Sequence, residues 1–373
     1  MATSSRSTEV DTIRAAALIG ICVVNVPFLG LPAIQAVGTP QGTSDRFAAF
    51  AVEFLFQGKF FLLFSFVFGW GVELQSRAAA RASASFGRRY FRRLAALAVL
   101  GCLHAALVFP GDILLIYAIL GVLLWPCRNM APRRLLMLAF LMIVVELLTL
   151  GALAFVTQGT AGLPQPSGGS VGQGVLARVS EWPETLGFLL LFQGPLAFGA
   201  FLAGLASAKS RFFEPDSDGR RRLGRSVPWL WVLAIPANLA FAIFSKSEGL
   251  PGLVGFLSFA VGAPSLAAIY LHMLVKIDAA HLLPKIVRRA GQNSLTAYVL
   301  QGVIAGTVFG GYGLGWFGAL GQLQLIPLAI VLATLSMMIT SLAALVIGYG
   351  PLELLLRRMT YHGEKSVRQF TNA

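Results

Sequence analysis

The chain has 373 residues, of which 56% are hydrophobic and only 12% are charged, and its mean hydropathy is +0.75. Soluble domains carry about 25% charged residues, so the composition excludes an ordinary soluble protein. The net charge is +13, but the basic residues lie between apolar runs, which argues against a nucleic-acid partner. We therefore expect an all-α integral membrane protein whose partners are membrane lipids, with no nucleic acid.

About ten apolar runs are long enough to be transmembrane helices, since a helix needs roughly 20 apolar residues to cross a ~30 Å hydrocarbon core. Helix is the expected state because it satisfies the backbone polar groups internally. The runs predict a single bundle and one polytopic membrane domain over residues 1–373. The predicted spans are 11–31, 56–75, 92–109, 112–127, 134–157, 186–207, 227–245, 252–275, 291–311 and 323–349.

Lysine and arginine are distributed unequally between alternate loops, and they favour the cytoplasmic side. Of the 29, 25 lie in one set of loops and at the two chain ends, whereas the other set holds only Arg46, Lys59, Arg178 and Lys246. The first set is therefore predicted to be cytoplasmic. Ten spans then place the N- and C-termini in the cytoplasm, in a multi-pass protein of the plasma (inner) membrane.

The first two spans carry polar residues with two interpretations each. Asp11 and Arg14 share a helix face and form either a local ion pair or part of a binding site. Asn25, in the outer half, is either an interhelical hydrogen bond or a site residue. Lys59, beside Gln57 at the start of the second span, either extends its ammonium to the outer interface or neutralises an anion. The segment 44–56, before this span, is predicted to be a helix in the outer interface.

His104, in the third span, is the leading candidate for chemistry. It lies roughly 9 Å below the outer end of its helix and is the only histidine in the outer half, since His272, His281 and His362 fall on the cytoplasmic side. Imidazole is the commonest general base near neutral pH. The alternative is a structural hydrogen bond between helices.

Asp112 and Tyr117 follow His104 across a turn at Pro110-Gly111. Asp112 is a candidate to orient the imidazole. In a straight antiparallel hairpin, however, it would sit roughly 6 Å higher along the axis, and it is alternatively the N-cap of its own helix. Tyr117 is the better neighbour of His104 by level.

The second half of the chain offers fewer candidates. Glu146 lies in the middle of the fifth span, where a charge costs roughly 2.5–3.5 kcal/mol, but the sequence names no partner for it. Residues 158–185, rich in Gly, Pro, Ser and Gln, are predicted to form an outward loop. Ser294, Tyr298 and Gln301 share one face and are predicted to bond neighbouring helices or to line a pocket. The three cysteines show no metal spacing, so no metal is expected.

Several ordered motifs resemble the YeiB-like family, catalogued as the domain of unknown function 418. The likeness spans nearly the whole chain, with one departure at Ala15, where the family usually has Gly. The matching stretches are Asp11-Thr-Ile-Arg14 with Asn25, Gln57-Gly-Lys-Phe-Phe-Leu-Leu-Phe-Ser-Phe, His104 with Pro110-Gly-Asp-Ile-Leu-Leu-Ile-Tyr117, Asn293-Ser-Leu-Thr-Ala-Tyr298-Val-Leu-Gln301, and Gly350-Pro-Leu-Glu353 with Arg357-Arg358-Met-Thr360.

The opening motif is also similar to that of heparan-α-glucosaminide N-acetyltransferase and of bacterial membrane acyltransferases. The resemblance implies a transmembrane acyltransferase that moves an acyl group from cytoplasmic acyl-CoA or acetyl-CoA to a hydroxyl or amine at the outer side. The acceptor would be a small molecule, a glycan or a lipid. In this hypothesis His104 is the general base, Asp112 and Tyr117 orient it, and Asn25 or Lys59 stabilises the oxyanion.

Basic residues of the cytoplasmic face are the candidates for binding the phosphates of the donor. They are Arg88 and Arg92, with Asp11, Arg14 and Lys59 as further candidates for the donor site. Two other function classes stay open: a transporter or permease for a small or amphipathic solute, and a non-catalytic lipid-binding scaffold. A homo-oligomer is also left open. The absence of an evident internal repeat argues against an inverted-repeat transporter.

Overall fold

The computed structural model of the protein describes residues 8–157, 171–279 and 284–362, so both chain ends and His281 lie outside the described residues. All regular structure within these ranges is helical. The helices are α1 (Thr8–Gly30), α2 (Ala33–Val37), α3 (Thr43–Leu55), α4 (Lys59–Arg81), α5 (Phe86–Leu107), α6 (Leu114–Leu124), α7 (Pro132–Thr157), α8 (Val171–Phe192), α9 (Gly194–Lys209), α10 (Asp218–Phe244), α11 (Gly249–Ala279), α12 (Lys285–Gln292), α13 (Ser294–Phe309), α14 (Gln322–Ile347) and α15 (Pro351–Thr360), with a 3₁₀ turn at Pro126–Asn129.

Seven helical segments of the described chain are long and apolar enough to cross a membrane. They are Thr8–Gly30, Thr43–Arg81, Phe86–Leu107, Pro132–Ala154, Asp218–Phe244, Gly249–Ala279 and Gln322–Ile347. Helices α8 and α9 form an eighth if they are taken as one span bent by 56°. Helices α6 (11 residues) and α13 (16 residues) are apolar but shorter than a full span. Every predicted run therefore contains a helix, and seven or eight have the length of a span.

Large apolar side chains cover the outer surface of several helices. On α7, Met137, Phe140 and Leu148 are 72%, 71% and 70% exposed, and Trp229 on α10 is 73% exposed. A soluble monomer rarely exposes apolar patches of this extent. The outer surface of these helices is therefore suited to contact with lipid. The chain is a helical membrane-embedded protein.

Helix α1 lies at the centre of the bundle, packed against α4, α11, α12, α13 and α14. Close packing elsewhere depends on small residues, as is common between membrane helices. Gly69 on α4 faces the carbonyl of Phe201 on α9, and Gly204 on α9 faces the carbonyl of Phe66 on α4. A side chain at either glycine would overlap backbone, so α4 and α9 pack backbone to backbone.

Two predicted boundaries need correction. The run 186–207 is broken at Gln193, because Pro195 in the first turn of α9 starts a new helix and cannot continue α8. Of the predicted outward loop, 158–170 lie outside the described residues, whereas 171–185 are helical as the first part of α8. This stretch is anchored on the bundle, since Nε of Arg178 donates to the carbonyl of Ala106 at 2.9 Å. The helix predicted within 44–56 is present as α3.

Candidate active site

His104 and Asp112 form a direct hydrogen-bonded pair. Nδ1 of His104 lies 2.8 Å from Oδ1 of Asp112, and the two side chains are 3% and 0% exposed. Oδ2 of Asp112 also accepts from the backbone amides of Leu114 at 2.8 Å and Leu115 at 3.2 Å. Asp112 therefore contacts the imidazole and also accepts from the first turn of α6, although Ile113 and not Asp112 is the N-cap residue of that helix. The expected difference in depth is absent because α6 begins only at Leu114, and the preceding residues fold back toward α5.

Tyr298 completes this group from α13. Its hydroxyl donates to Oδ1 of Asp112 at 3.4 Å, and its ring centroid lies 5.3 Å from that of His104. An ionised carboxylate accepts but cannot donate, so Asp112 keeps the imidazole hydrogen on Nδ1 and leaves a lone pair on Nε2. Nε2 is buried and has no hydrogen-bond partner within the described residues. It is therefore a base with a free lone pair.

A small cavity between α1, α5 and α13 adjoins this nitrogen. Its polar walls are Asn25, Tyr298 and Gln301, with His104 at one side. Gly302 also lines the cavity, and a Cβ at this position would lie 2.8 Å from Nε2 of His104. The volume is about 20 Å³, enough for one water-sized group. The missing side chain of Gly302 thus keeps space open beside the base.

The predicted polar stripe of α13 is only partly in this cavity. Gln301 lines it and also donates from Nε2 to the carbonyl of Leu18 on α1 at 3.1 Å. Gln301 therefore both forms a hydrogen bond between helices and lines the cavity. Ser294 is the first residue of α13 and lies outside the cavity wall. Asn25 is in the wall, as one of its two interpretations required.

The predicted role of Tyr117 as the residue that orients His104 is wrong. Its hydroxyl is 2.8 Å from the hydroxyl of Ser65 and donates to the carbonyl of Phe61 at 3.3 Å, both on α4. The level of Tyr117 was estimated from a helix beginning at residue 112. The later start of α6 turns Tyr117 toward α4, and Tyr298 occupies the place expected for it.

Both predicted roles of Lys59 also need correction. Lys59 is fully buried, and its ammonium donates to the carbonyl of Glu53 at 2.7 Å. Gly58, with a φ of 82°, interrupts the helix between α3 and α4, and the Lys59 side chain lies against the last turn of α3. Gln57 lies in the same turn, where its backbone N–H donates to the carbonyl of Val52 at 2.9 Å. Neither Gln57 nor Lys59 lines the cavity of His104.

Four of the five residues predicted to hold the donor, all except Lys59, lie near the end of the bundle opposite to His104. Asp11 lies 3.5 Å from Arg14, which is the local ion pair that the sequence suggested. It also accepts from Nε2 of Gln292 at 3.0 Å, and this hydrogen bond joins α1 to α12. Arg92 donates from Nη1 to the carbonyl of His362 at 2.6 Å and thus holds the end of α15. Arg88 is exposed in the first turn of α5.

Glu353 joins the two late motifs, which the sequence did not reveal. Its Oε1 accepts from the amides of Leu295 at 2.7 Å and Thr296 at 3.2 Å, and its Oε2 accepts from the Thr296 hydroxyl at 2.6 Å. Asn293 accepts from the amide of Gly350 at 2.7 Å. Burial raises the pKa of the Glu353 carboxyl, and the hydrogen bonds from Thr296 and Leu295 only partly oppose this. We name these residues the Glu353 staple.

The side chain of Glu146 lies against the break between α8 and α9. It is 0% exposed, and its Oε2 accepts from the amide of Leu196 in the first turn of α9 at 3.4 Å. Its Oε1 has no partner in the part of the chain that the structure describes. In the same part of the chain, no group of three or more His, Cys, Asp or Glu side chains is arranged to hold a metal.

Comparison with known proteins agrees with the motifs. The family profile described as "Protein of unknown function (DUF418)" matches residues 207–363. The chain is 27% identical to "Uncharacterized protein YxaH" of Bacillus subtilis (strain 168), over 96% of this chain and 95% of the relative. It is 25% identical to "Uncharacterized protein YeiB" of Escherichia coli (strain K12), over 95% and 96% respectively. The profile match and these two relatives support a YeiB-like DUF418 family, the family that the motifs resemble.

Proposed function

We propose that the protein is a membrane-embedded acyltransferase in which His104 is the general base. One observation carries the proposal: a buried imidazole is hydrogen-bonded to a carboxylate at Nδ1, and its Nε2, without a partner among the described residues, lies beside a cavity that Asn25 and Gln301 also line. A carboxylate in this position fixes the tautomer and stabilises the imidazolium formed during proton transfer. The resemblance to membrane acyltransferases supplies the class of reaction.

In the proposed reaction, the acceptor hydroxyl or amine gives its proton to Nε2 of His104 and attacks the thioester carbonyl of acyl-CoA. The side-chain amide of Asn25 is the donor for the tetrahedral oxyanion, since the one O–H of Tyr298 is donated to Asp112. Collapse expels the thiolate of CoA, which takes the proton from the imidazolium. The cavity must widen to admit both substrates, since it now holds one water-sized group.

The proposal includes ten transmembrane spans, of which α6 and α13 are the two short ones. It places the chain in the plasma (inner) membrane, with both termini in the cytoplasm. The distribution of lysine and arginine supports this orientation. His104 then lies toward the outer side, and acyl-CoA enters from the inner side, where Arg88 remains a candidate for its phosphates. A membrane-impermeant thiol reagent applied to single-cysteine variants from either side tests the orientation.

The first test uses purified protein in lipid nanodiscs with radiolabelled acetyl-CoA, and measures binding and the slow hydrolysis of the thioester. The proposal requires that His104→Ala abolishes hydrolysis while acetyl-CoA binding is kept. His272→Ala, a partly exposed histidine on α11, is the matched control and should hydrolyse at the wild-type rate. Well-folded wild-type protein that binds no acyl-CoA would contradict the proposal.

Glu146 favours a second candidate, transport of a small solute. Buried carboxylates facing the start of a discontinuous helix mark ion and substrate paths in several transporter folds. A transporter would move solute across proteoliposomes without a covalent change. It would tolerate His104→Gln and lose flux in Glu146→Gln, the reverse of the pattern expected for acyl transfer.

A further inference from the structure

A second cavity lies far from His104, where α4, α5, α9 and the turn at Pro126–Asn129 meet; we name it the inner cavity. Its volume is about 240 Å³, several times the ~30 Å³ that one water occupies in the liquid. One wall is Phe86, the first residue of α5, and His104 follows 18 residues later. The two cavities are thus roughly 27 Å apart along this helix, and the inner cavity lies at the end that carries the arginine-rich loops.

The charged walls of the inner cavity are Arg128, Lys209 and Glu73. Glu73 is already paired, because its Oε1 accepts from Nε of Arg77 at 2.9 Å. Arg128 and Lys209 form no ion pair with any residue that the structure describes. Two cations beside one cavity repel each other, and an anion between them removes that repulsion.

Arg128 is held in a fixed orientation. Its Nη1 donates to the carbonyl of Trp125 at 2.9 Å, and its guanidinium lies 3.9 Å from the centre of the Trp125 ring. A guanidinium has five N–H groups in a planar fork that matches the oxygens of a phosphate. Since Trp125 engages one side of the fork, the other N–H groups are available to the cavity.

Neutral and apolar walls complete the inner cavity. Ser76 and Asn129 add a hydroxyl and a side-chain amide beside the cations. Val72, Phe86 and Leu205 form an apolar side. Helix α5 begins here with no acidic residue in its first turn, so the positive end of its dipole also favours an anion.

We propose that the inner cavity binds a phosphate-bearing ligand, with the phosphate between Arg128 and Lys209 and the attached organic group against Phe86. Two sources supply this chemistry on the predicted cytoplasmic side: the nucleotide end of an acyl-CoA and the headgroup of an anionic phospholipid. The inference does not rest on catalysis at His104, because that residue is distant from the inner cavity.

The test measures two probes on the full chain in nanodiscs. Coenzyme A binding is measured by titration calorimetry in phosphatidylcholine, and retained phosphatidylglycerol is measured by native mass spectrometry after mixed-lipid reconstitution. We expect Lys209→Ala and Arg128→Ala each to weaken binding of one probe roughly tenfold, the usual effect of losing one charged hydrogen bond. Arg134→Ala, an exposed arginine at the start of α7, is the control and should bind like wild type.

Loss of coenzyme A affinity assigns the inner cavity to the nucleotide, and loss of phosphatidylglycerol retention assigns it to the lipid. Wild-type protein that binds neither probe, or a folded Lys209→Ala variant that binds both like wild type, overturns the proposal. Lys209→Ala keeps the test decisive if Arg128→Ala, which also loses its contact with Trp125, fails to fold. His104→Ala should bind both probes normally, so a failure of acyl transfer is distinguishable from a failure of this site.

Discussion

Asp112, which is buried, and Glu353, which is partly buried, are two carboxylates that perform the same local task with different outcomes. Each accepts from two backbone amides at the start of a helix, Asp112 at α6 and Glu353 at α13. The second oxygen of Asp112 holds His104, whose Nε2 remains without a partner within the described chain. The second oxygen of Glu353 holds the Thr296 hydroxyl. The same type of carboxylate contact therefore leaves a buried imidazole nitrogen without a partner in the described chain in one place and forms a closed structural contact in the other.

The strongest test of this difference is Asp112→Asn. An asparagine oxygen still accepts from the start of α6, so we expect little change in the unfolding temperature. The charge that stabilises the imidazolium is lost, so the rate of acetyl-CoA hydrolysis should fall on the order of 10²-fold or more. Tyr117→Phe is the control, because Tyr117 is bonded to Ser65 and not to His104. An unchanged rate in Asp112→Asn would contradict a catalytic role for the pair.

The reverse pattern is expected for Glu353→Ala. The change removes three hydrogen bonds to a carboxylate and leaves the amides of Leu295 and Thr296 without their acceptor. The free energy of unfolding in detergent should fall by about 3 kcal/mol, while hydrolysis per folded molecule stays near the wild-type rate. Glu214→Ala, at a carboxylate 61% exposed, is the control and should leave stability unchanged. A loss of activity without a loss of stability would mean that Glu353 is not a structural residue.

Gly302→Ala sharpens the role assigned to the free nitrogen. The new Cβ would lie 2.8 Å from Nε2 of His104 and 2.7 Å from a methyl of Val108, so it would close the space beside the base. We expect roughly tenfold slower hydrolysis, a loss of about 1.4 kcal/mol in transition-state stabilisation. Gly151→Ala on α7 is the control, since no atom lies within 4 Å of the Cβ it adds. Equal rates in the two variants would mean that substrate does not approach Nε2 from this side.

The smallest expected effect is a pH dependence from the Glu353 staple. Because burial raises the pKa of Glu353 above its ordinary value of 4.5, the native state binds this proton more tightly than the unfolded chain does. The resulting stabilisation is complete below pH 4.5 and is lost as pH rises through the pKa of the folded protein. Unfolding temperatures of wild type and Glu353→Gln, measured over a pH series, should differ by an amount that decreases as pH rises through this window. A constant difference would contradict the raised pKa.

Much of the fold could be predicted from apolar runs, because each run contains a helix in the described chain. His104, Asp112 and Asn25 could be selected as site candidates because polar side chains inside a membrane are energetically costly and are usually retained for a structural or functional role. Tyr117 and Lys59 were misplaced by local geometry: the two-residue delay in the start of α6, and the left-handed turn at Gly58. No periodicity signals either feature.

Contacts distant in sequence were beyond prediction for a different reason. Tyr298 lies 186 residues after Asp112 and Glu353 lies 58 residues after Leu295, so their pairing depends on how the whole bundle packs. The sequence identifies Tyr298 as one of a polar stripe, but nothing in it indicates which neighbour receives the hydroxyl. The sequence likewise contains no signal for the hydrogen bond from Arg92 to the carbonyl of His362, so Arg92 is predicted to bind a ligand instead.

The Glu353 staple also implies an order of assembly during synthesis. The start of α13, which bears Tyr298 and Gln301, obtains its cap from a residue made 58 positions later, after α14. A ribosome adds roughly 5–20 residues per second, so α13 waits several seconds for Glu353 to be made. Until then its first turn lacks this acceptor, and the amides of Leu295 and Thr296 must find other partners.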